Sequence, residues 1–319
     1  MTTQRVGVVG LGLMGQGICT ALLARGISTV AVDIRPQSLA SAEEQIAASL
    51  HEHDCQVHEQ AAAPADWRSH FHVSSTLAPL ADCDFIIESL PEQLDLKRAS
   101  IAEIEDIVAP STPIASNTSA LPITMIQAGM QNPQRILGMH WAEPCHLTRF
   151  LEIIRGDQTD EASARSAMEI GKRLGKDPTM VQRDVPGFIV NRLAYAMYRE
   201  AFWLLENEVA DVETIDRAFV NALSVWANIA GPFRWMDLTG LAAYGQVMER
   251  LFPELSRATE VPARMRELLA AGAQGIANGR GFYDYDEQEA DAWRAKLIAN
   301  VQSVNRATAI QSCISKADS

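Results

Sequence analysis

Short apolar runs and longer amphipathic stretches alternate along the first half of the chain. Arg5–Val9 and Ser28–Val32 are strand-like runs, Ile18–Arg25 repeats its apolar residues at helical spacing, and Gly10–Gly17 is glycine-rich; the order predicts a βαβ unit. Further strands are expected at Asp84–Glu88, Pro113–Ser116, Ile136–His140, Phe150–Ile154 and Thr179–Gln182, with helices at Leu94–Val108 and Glu161–Leu174. Strands that alternate with helices are joined by crossovers, so the sheet should be largely parallel and covered on both faces. After Asp184-Val185-Pro186-Gly187 the pattern turns helical, at Phe188–Asn207, Val212–Ala222 and Leu238–Leu251. The expected boundary lies at Pro186, between an α/β domain over 1–185 and a helical domain over 186–319.

Charge narrows the partners. Lys and Arg total 27 against 40 Asp and Glu, a net charge of −13. With no basic surplus, binding to nucleic acid or to an anionic membrane surface is disfavoured, and an anionic ligand must find a local positive site. The five cysteines, Cys19, Cys55, Cys83, Cys145 and Cys313, are odd in number and scattered, which fits a reducing compartment better than a disulfide framework. Neither a basic-plus-apolar leader nor a long apolar run is present, so a cytoplasmic protein is expected. His51, His53, Cys55 and His58 look like metal ligands, but their flanks are polar and acidic and no second ligand group is evident; no metal is expected.

Gly10-Leu11-Gly12-Leu13-Met14-Gly15 fits G-x-G-x-x-G in the context that motif needs, after a strand and before a helix. Its first glycine permits the tight turn, the second lets a pyrophosphate approach the backbone and the third lets helix and strand pack closely, while the free N–H groups around Leu13 and Met14 face the phosphates. Asp33 ends the next strand, where a carboxylate accepts hydrogen bonds from an adenosine ribose and repels a 2′-phosphate; this selects NAD over NADP, although Arg35 is a base that tolerates a phosphate. The alternative is a plain glycine turn with Asp33 capping a helix that starts near Pro36.

Farther on stand Ser116-Asn117-Thr118-Ser119, then His140-Trp141-Ala142-Glu143-Pro144, then Leu151-Glu152-Ile153-Ile154, then Pro186-Gly187-Phe188-Ile189-Val190-Asn191-Arg192. With the glycine loop, these resemble the 3-hydroxyacyl-CoA dehydrogenase family over nearly the whole chain, as far as Gly281-Phe282-Tyr283. The resemblance implies a Rossmann-type doubly wound sheet followed by an all-α C-terminal domain that forms a homodimer. It implies NAD as cofactor and oxidation of an L-3-hydroxyacyl-CoA in fatty acid metabolism. It also makes His140 the general base, Glu152 its partner, Ser119 and Asn191 the substrate-side polar groups, and Glu92 and Lys97, with Asn117 beside them, contacts of the nicotinamide half. Oxidising a secondary alcohol requires removal of the hydroxyl proton as hydride leaves carbon, and histidine suits that task when a carboxylate accepts its other ring N–H. Taken one at a time, a strand-end histidine is more often structural, and Ser119 three residues before Pro122 reads equally as a helix cap.

Three departures bear on substrate. Members that act on CoA esters usually carry Asn where this chain has Glu143; an acid there repels an anionic substrate, pairs with Arg149 or receives a cationic group. The segment Ser38–Ser75, basic in CoA-binding members, here holds Arg68 alone against Glu43, Glu44, Glu52, Asp54, Glu59 and Asp66. Ser224–Phe233 lacks the paired glycines common before Gly-Pro-Phe in acyl-CoA members, and Arg234 just after it is a candidate carboxylate ligand or a solvated helix-end charge. These features resemble relatives that oxidise small free acids or alcohols, the gulonate, carnitine and pyridine-carboxylate dehydrogenases. A further alternative is a non-catalytic NAD-binding protein, like the lens crystallin related to the family.

Overall fold

The computed structural model describes residues 5–54 and 66–317. Its described chain divides into two compact units, Met1–Asn191 with Val301–Ser319, and Arg192–Asn300.

In the first unit eight strands form one sheet. They are β1 (Arg5–Val9), β2 (Ser28–Val32), β3 (Phe71–Ser74), β4 (Phe85–Glu88), β5 (Ile114–Ser116), β6 (Ile136–Trp141), β7 (Phe150–Arg155) and β8 (Asp177–Val181), in the order β3-β2-β1-β4-β5-β6-β7-β8. Every neighbouring pair is parallel except β6 and β7. Because side chains alternate across a strand, the central strands feed two cores. Val6, Val8, Phe85, Ile87, Leu137 and Met139 pack with residues of α1 (Leu13–Leu23), α2 (Pro36–Asp54) and α5 (Glu161–Arg173). Val9, Val30, Ile86, Ile114 and Ile136 pack on the other face with α3 (Leu94–Glu105) and α4 (Ile123–Gln127).

The structure shifts several expected boundaries for local reasons. Helix α1 starts at Leu13 and not Ile18, because the glycine motif itself supplies the first turn. Strand β3 was not anticipated from its four residues, of which His72 and Val73 are exposed. Helix α6 (Val190–Glu206) begins after Phe188, since Gly187 and Phe188 are both left-handed, at φ 77° and 51°.

The second unit is helical. Beyond α6 come α7 (Val212–Ala218), a π-helical stretch Phe219–Leu223, α8 (Ser224–Ala227), α9 (Pro232–Thr239), α10 (Leu241–Leu251), α11 (Ala263–Ala270) and the start of α12 (Glu287–Ala317). The run Leu238–Leu251, read as one helix, is split at Gly240, which stands at φ 101°. Among the described residues no helix is long and apolar enough to cross a membrane.

Candidate active site

Parallel strands deliver their C-terminal ends to one edge of the sheet, and antiparallel β7 brings its N-terminal part to that edge. Gly10 follows β1, Asp33 follows β2, Glu88 ends β4, Asn117 follows β5, and His140 lies one residue from the end of β6. The expected residues of the first unit therefore share an edge because of topology.

At the glycine turn, Gly10 takes φ 97°, and a Cβ there would lie 2.5 Å from the Ser89 carbonyl oxygen; at Gly15 it would lie 1.8 Å from that of Gly10. Gly12 is different. A Cβ there meets nothing within 4 Å, so the backbone at the start of α1 borders open space. The first turn of α1 has neither an acidic residue nor a side-chain cap, so the positive helix end is left for an anion. The loop is tied to β2 by the Leu11 N–H, which donates to Asp33 Oδ2 at 2.8 Å. Asp33 itself is buried and also accepts three hydrogen bonds from Arg35. Burial works to raise its carboxyl, but the bonds from Arg35 and Leu11 outweigh it and hold the group below the usual carboxylate range. An open glycine, an uncapped helix end and an ionised carboxylate at the end of β2 are the features that the pyrophosphate and adenosine ribose of a dinucleotide require.

His140 and Glu152 face each other directly in the antiparallel pairing of β6 with β7. Glu152 Oε1 accepts the N–H groups of Ile189 and Val190 at 3.1 and 3.0 Å, at the start of α6. An ionised carboxylate only accepts, so the 2.8 Å contact is a bond donated by His140 Nδ1–H to Glu152 Oε2. Nε2 is then the lone-pair nitrogen. The ring is held by Phe150, edge-on at 5.5 Å, and by Phe188 at 5.8 Å. Phe188 is a buried non-glycine residue in the left-handed region, a conformation costing about 1–2 kcal/mol, and the turn it makes with Gly187 precedes the two N–H groups that meet Glu152.

Ser119 and Asn191 are also brought together: Asn191 Nδ2 donates to the Ser119 carbonyl oxygen at 2.7 Å, and the Ser119 side chain is exposed. Asn117 accepts the Trp141 N–H at Oδ1, 3.3 Å, and donates to Ser89 Oγ at 3.2 Å, bridging the ends of three strands. Glu92 Oε1 takes the Thr118 hydroxyl at 2.6 Å and the N–H groups of Ser119 and Ala120 at 3.1 and 3.0 Å, so it shapes the Ser119 turn. Lys97 is fully buried. Its ammonium lies 2.9 Å from Glu88 Oε1 and 3.6 Å from Glu92 Oε2, and donates to the Leu90 carbonyl at 3.1 Å.

Glu143 lies in the loop after His140 and is exposed, yet crowding around its carboxyl and the charge of Glu52 push its pKa up, against the N–H of Cys145. The suggested pairing with Arg149 is not formed: Arg149 meets Asp177 at 3.5 Å. Arg234 is exposed on α9 of the second unit. In the acidic segment, Arg68 pairs with Glu43 at 2.6 Å and Glu52 with His146 at 3.0 Å. Cys55, His58 and Glu59 lie outside the described residues; among those described, no group of three His, Cys, Asp or Glu is placed to hold a metal ion.

Two residues were missed from sequence. Glu88 is fully buried and accepts Lys97, the Ser116 hydroxyl at 2.5 Å and the Leu90 N–H at 2.5 Å. Lys176 is buried beside the loop that follows His140, donates to the carbonyls of Cys145 and Thr148, and is pushed down by burial to about 8. The only hint of Glu88 was its place at a strand end; Lys176 gave none.

Residues 5–185 match the model for the 3-hydroxyacyl-CoA dehydrogenase NAD binding domain, and residues 187–285 match that for the C-terminal domain of the same family. The chain is 29% identical over 304 residues to a 5-formyl-3-hydroxy-2-methylpyridine 4-carboxylate 5-dehydrogenase of Mesorhizobium japonicum, covering 95% of this chain and 97% of that one. It is 32% identical over 286 residues to a probable 3-hydroxybutyryl-CoA dehydrogenase of Deinococcus radiodurans, covering 88% and 100%. Among solved structures, a 5-dehydrogenase of the same pyridine carboxylic acid superposes with a TM-score of 0.87 at 28% identity, covering 95% of this chain and 98% of that one. The (S)-3-hydroxybutyryl-CoA dehydrogenase of Ralstonia eutropha gives 0.73 at 33% identity, covering 89% and 100%.

Proposed function

The chain belongs to the 3-hydroxyacyl-CoA dehydrogenase family, and from that membership we propose that it oxidises the 3-hydroxyl of an L-3-hydroxyacyl-CoA to the 3-oxo compound, with His140 as the base. It is an NAD-dependent dehydrogenase acting on a CH–OH group. The observation that carries the assignment of the base is the His140–Glu152 pair, which leaves Nε2 as the proton-accepting nitrogen at the sheet edge that holds the glycine turn. NAD, when bound, supplies the hydride acceptor. His140 Nε2 takes the hydroxyl proton as the C–H electron pair departs and the C=O bond forms, and Glu152 stabilises the resulting imidazolium. Ser119 and Asn191 hold the reacting oxygen, while Glu92, Lys97 and Asn117 serve the nicotinamide half of the cofactor, Glu92 also bonding the turn around Ser119. Gly10, Gly12, Leu13, Met14, Gly15 and Asp33 form the cofactor side, within a cofactor domain over 1–185. The helical part, 186–319, serves the substrate side and a homodimer in the cytoplasm.

A second reading, a small free hydroxy acid or pyridine carboxylate as substrate, is favoured by Glu143 and by the pairing of Arg68 with Glu43, which ties up the base of the acidic segment. The pyridine-carboxylate dehydrogenase relatives are named for such a compound. Steady-state NADH formation with (S)-3-hydroxybutyryl-CoA against a panel of free hydroxy acids and pyridine carboxylates separates the two. Turnover of the thioester is expected; turnover of the free acids alone would overturn the CoA reading.

A further inference from the structure

Asp33 offers no spare acceptor site. Its Oδ2 accepts Leu11 N–H at 2.8 Å and Arg35 Nη2 at 2.9 Å, and its Oδ1 accepts Arg35 N–H at 2.8 Å and Arg35 Nε at 3.1 Å. Four bonds saturate a carboxylate's lone-pair sites. Two of them come from backbone N–H groups, that of Leu11 in the glycine turn after β1 and that of Arg35 in the turn after β2, and two from one guanidinium that spans both oxygens. The two sides are not equally held: Asp33 is 5% exposed, whereas the Arg35 side chain is 59% exposed and forms its ion pair at the surface. Only the Arg35 end of the pair stands in water, so the guanidinium can turn from Asp33 toward a ligand without itself being desolvated.

We propose that Arg35 sets how this site discriminates between dinucleotides, as a movable counter-ion of Asp33 that admits a 2′-phosphorylated adenosine ribose beside the unmodified one. The inference rests on the reading that Asp33 is the ribose contact. An uncompensated carboxylate at that place excludes a 2′-phosphate by repulsion. Here a guanidinium offsets the charge. Its planar fork is suited to carboxylate and phosphate alike, so the same side chain that bridges Asp33 can turn its N–H groups to a phosphate. An unmodified ribose makes the opposite demand, because its hydroxyls must displace the guanidinium from Asp33 to be accepted. Arg35 therefore favours the 2′-phosphorylated ligand over the unmodified one, relative to a site with Asp33 alone.

Calorimetric titration of the full chain, without substrate, with NADH and NADPH, and with 5′-ADP and 2′,5′-ADP as adenosine-side probes, tests this. For Arg35→Ala, and for Arg35→Gln as a second variant, the ratio of the NADPH to the NADH dissociation constant is expected to rise about tenfold or more over wild type, with the same sign for the two probes. A ratio within about threefold of wild type, both cofactors weakening together, would overturn the proposal. Asp33→Asn checks the underlying reading separately: it should weaken NADH about tenfold, and unchanged NADH binding would displace Asp33 from the ribose without reference to Arg35.

Discussion

A neutral imidazole carries its proton on one nitrogen, and at His140 the choice falls to Glu152. Glu152 uses one oxygen on His140 and the other on two backbone N–H groups, so its orientation is fixed. In Glu152→Gln the amide oxygen can satisfy Ile189 and Val190, which leaves an NH2 facing Nδ1 and forces the proton onto Nε2, the nitrogen that must be free. Turnover should fall about 10²–10⁴-fold, as in His140→Gln, while NADH affinity by titration changes less than about threefold, because neither side chain is assigned to the cofactor. Near wild-type turnover in Glu152→Gln would remove the carboxylate from the mechanism. This pair was legible before the fold through the family resemblance, with which two strand-like runs joined by a short loop agree. Glu88 and Lys176 were not legible: burial of a charge depends on the partner that another element brings to it, Lys97 from α3 for Glu88 and the carbonyls of Cys145 and Thr148 for Lys176.

At the scale of elements, the glycine turn separates structural from ligand-side roles within one motif. The Gly15 Cα faces the Gly10 carbonyl, so Gly15→Ala must move backbone, and a loss of at least about 1–3 kcal/mol is expected in denaturant unfolding. Gly12→Ala meets no protein atom. It should change stability by less than about 1 kcal/mol yet weaken NADH about tenfold or more, because its methyl enters the space assigned to the pyrophosphate. Undiminished NADH binding in Gly12→Ala would sink that placement. The sequence announced β1 and β2 to the residue, because β-branched runs bounded by glycine and polar residues have little alternative. Strand β3 escaped because an edge strand has one neighbour and tolerates exposed, weakly patterned residues. The helix boundaries at Phe188 and Gly240 escaped because positive φ at those sites is set by the fold, which in the case of Phe188 overrides the steric preference of the residue itself.

On the scale of the whole molecule the two units differ in what they bury. Both faces of the sheet in the first unit are packed, whereas α6 to α11 contain no buried residue, and Leu193, Tyr195, Val220, Ile229, Phe233 and Leu241 are all exposed. A helix in water ordinarily hides an apolar stripe against something, and helices that carry such residues uncovered expose a surface of the kind that pairs subunits. The homodimer proposed above supplies the cover through a second copy of the same helices, and a stable one would bury about 1,200–2,000 Å². Light scattering on the purified chain at tens of micromolar should return twice the 34.9 kDa of one copy. Phe233 and Leu241 are exposed within the chain, so Phe233→Glu with Leu241→Glu should leave the circular dichroism of the helices in place and shift the mass toward one copy. A wild-type mass of one copy would overturn the dimer, and a double variant that keeps the full dimer mass would place its contact away from α9 and α10.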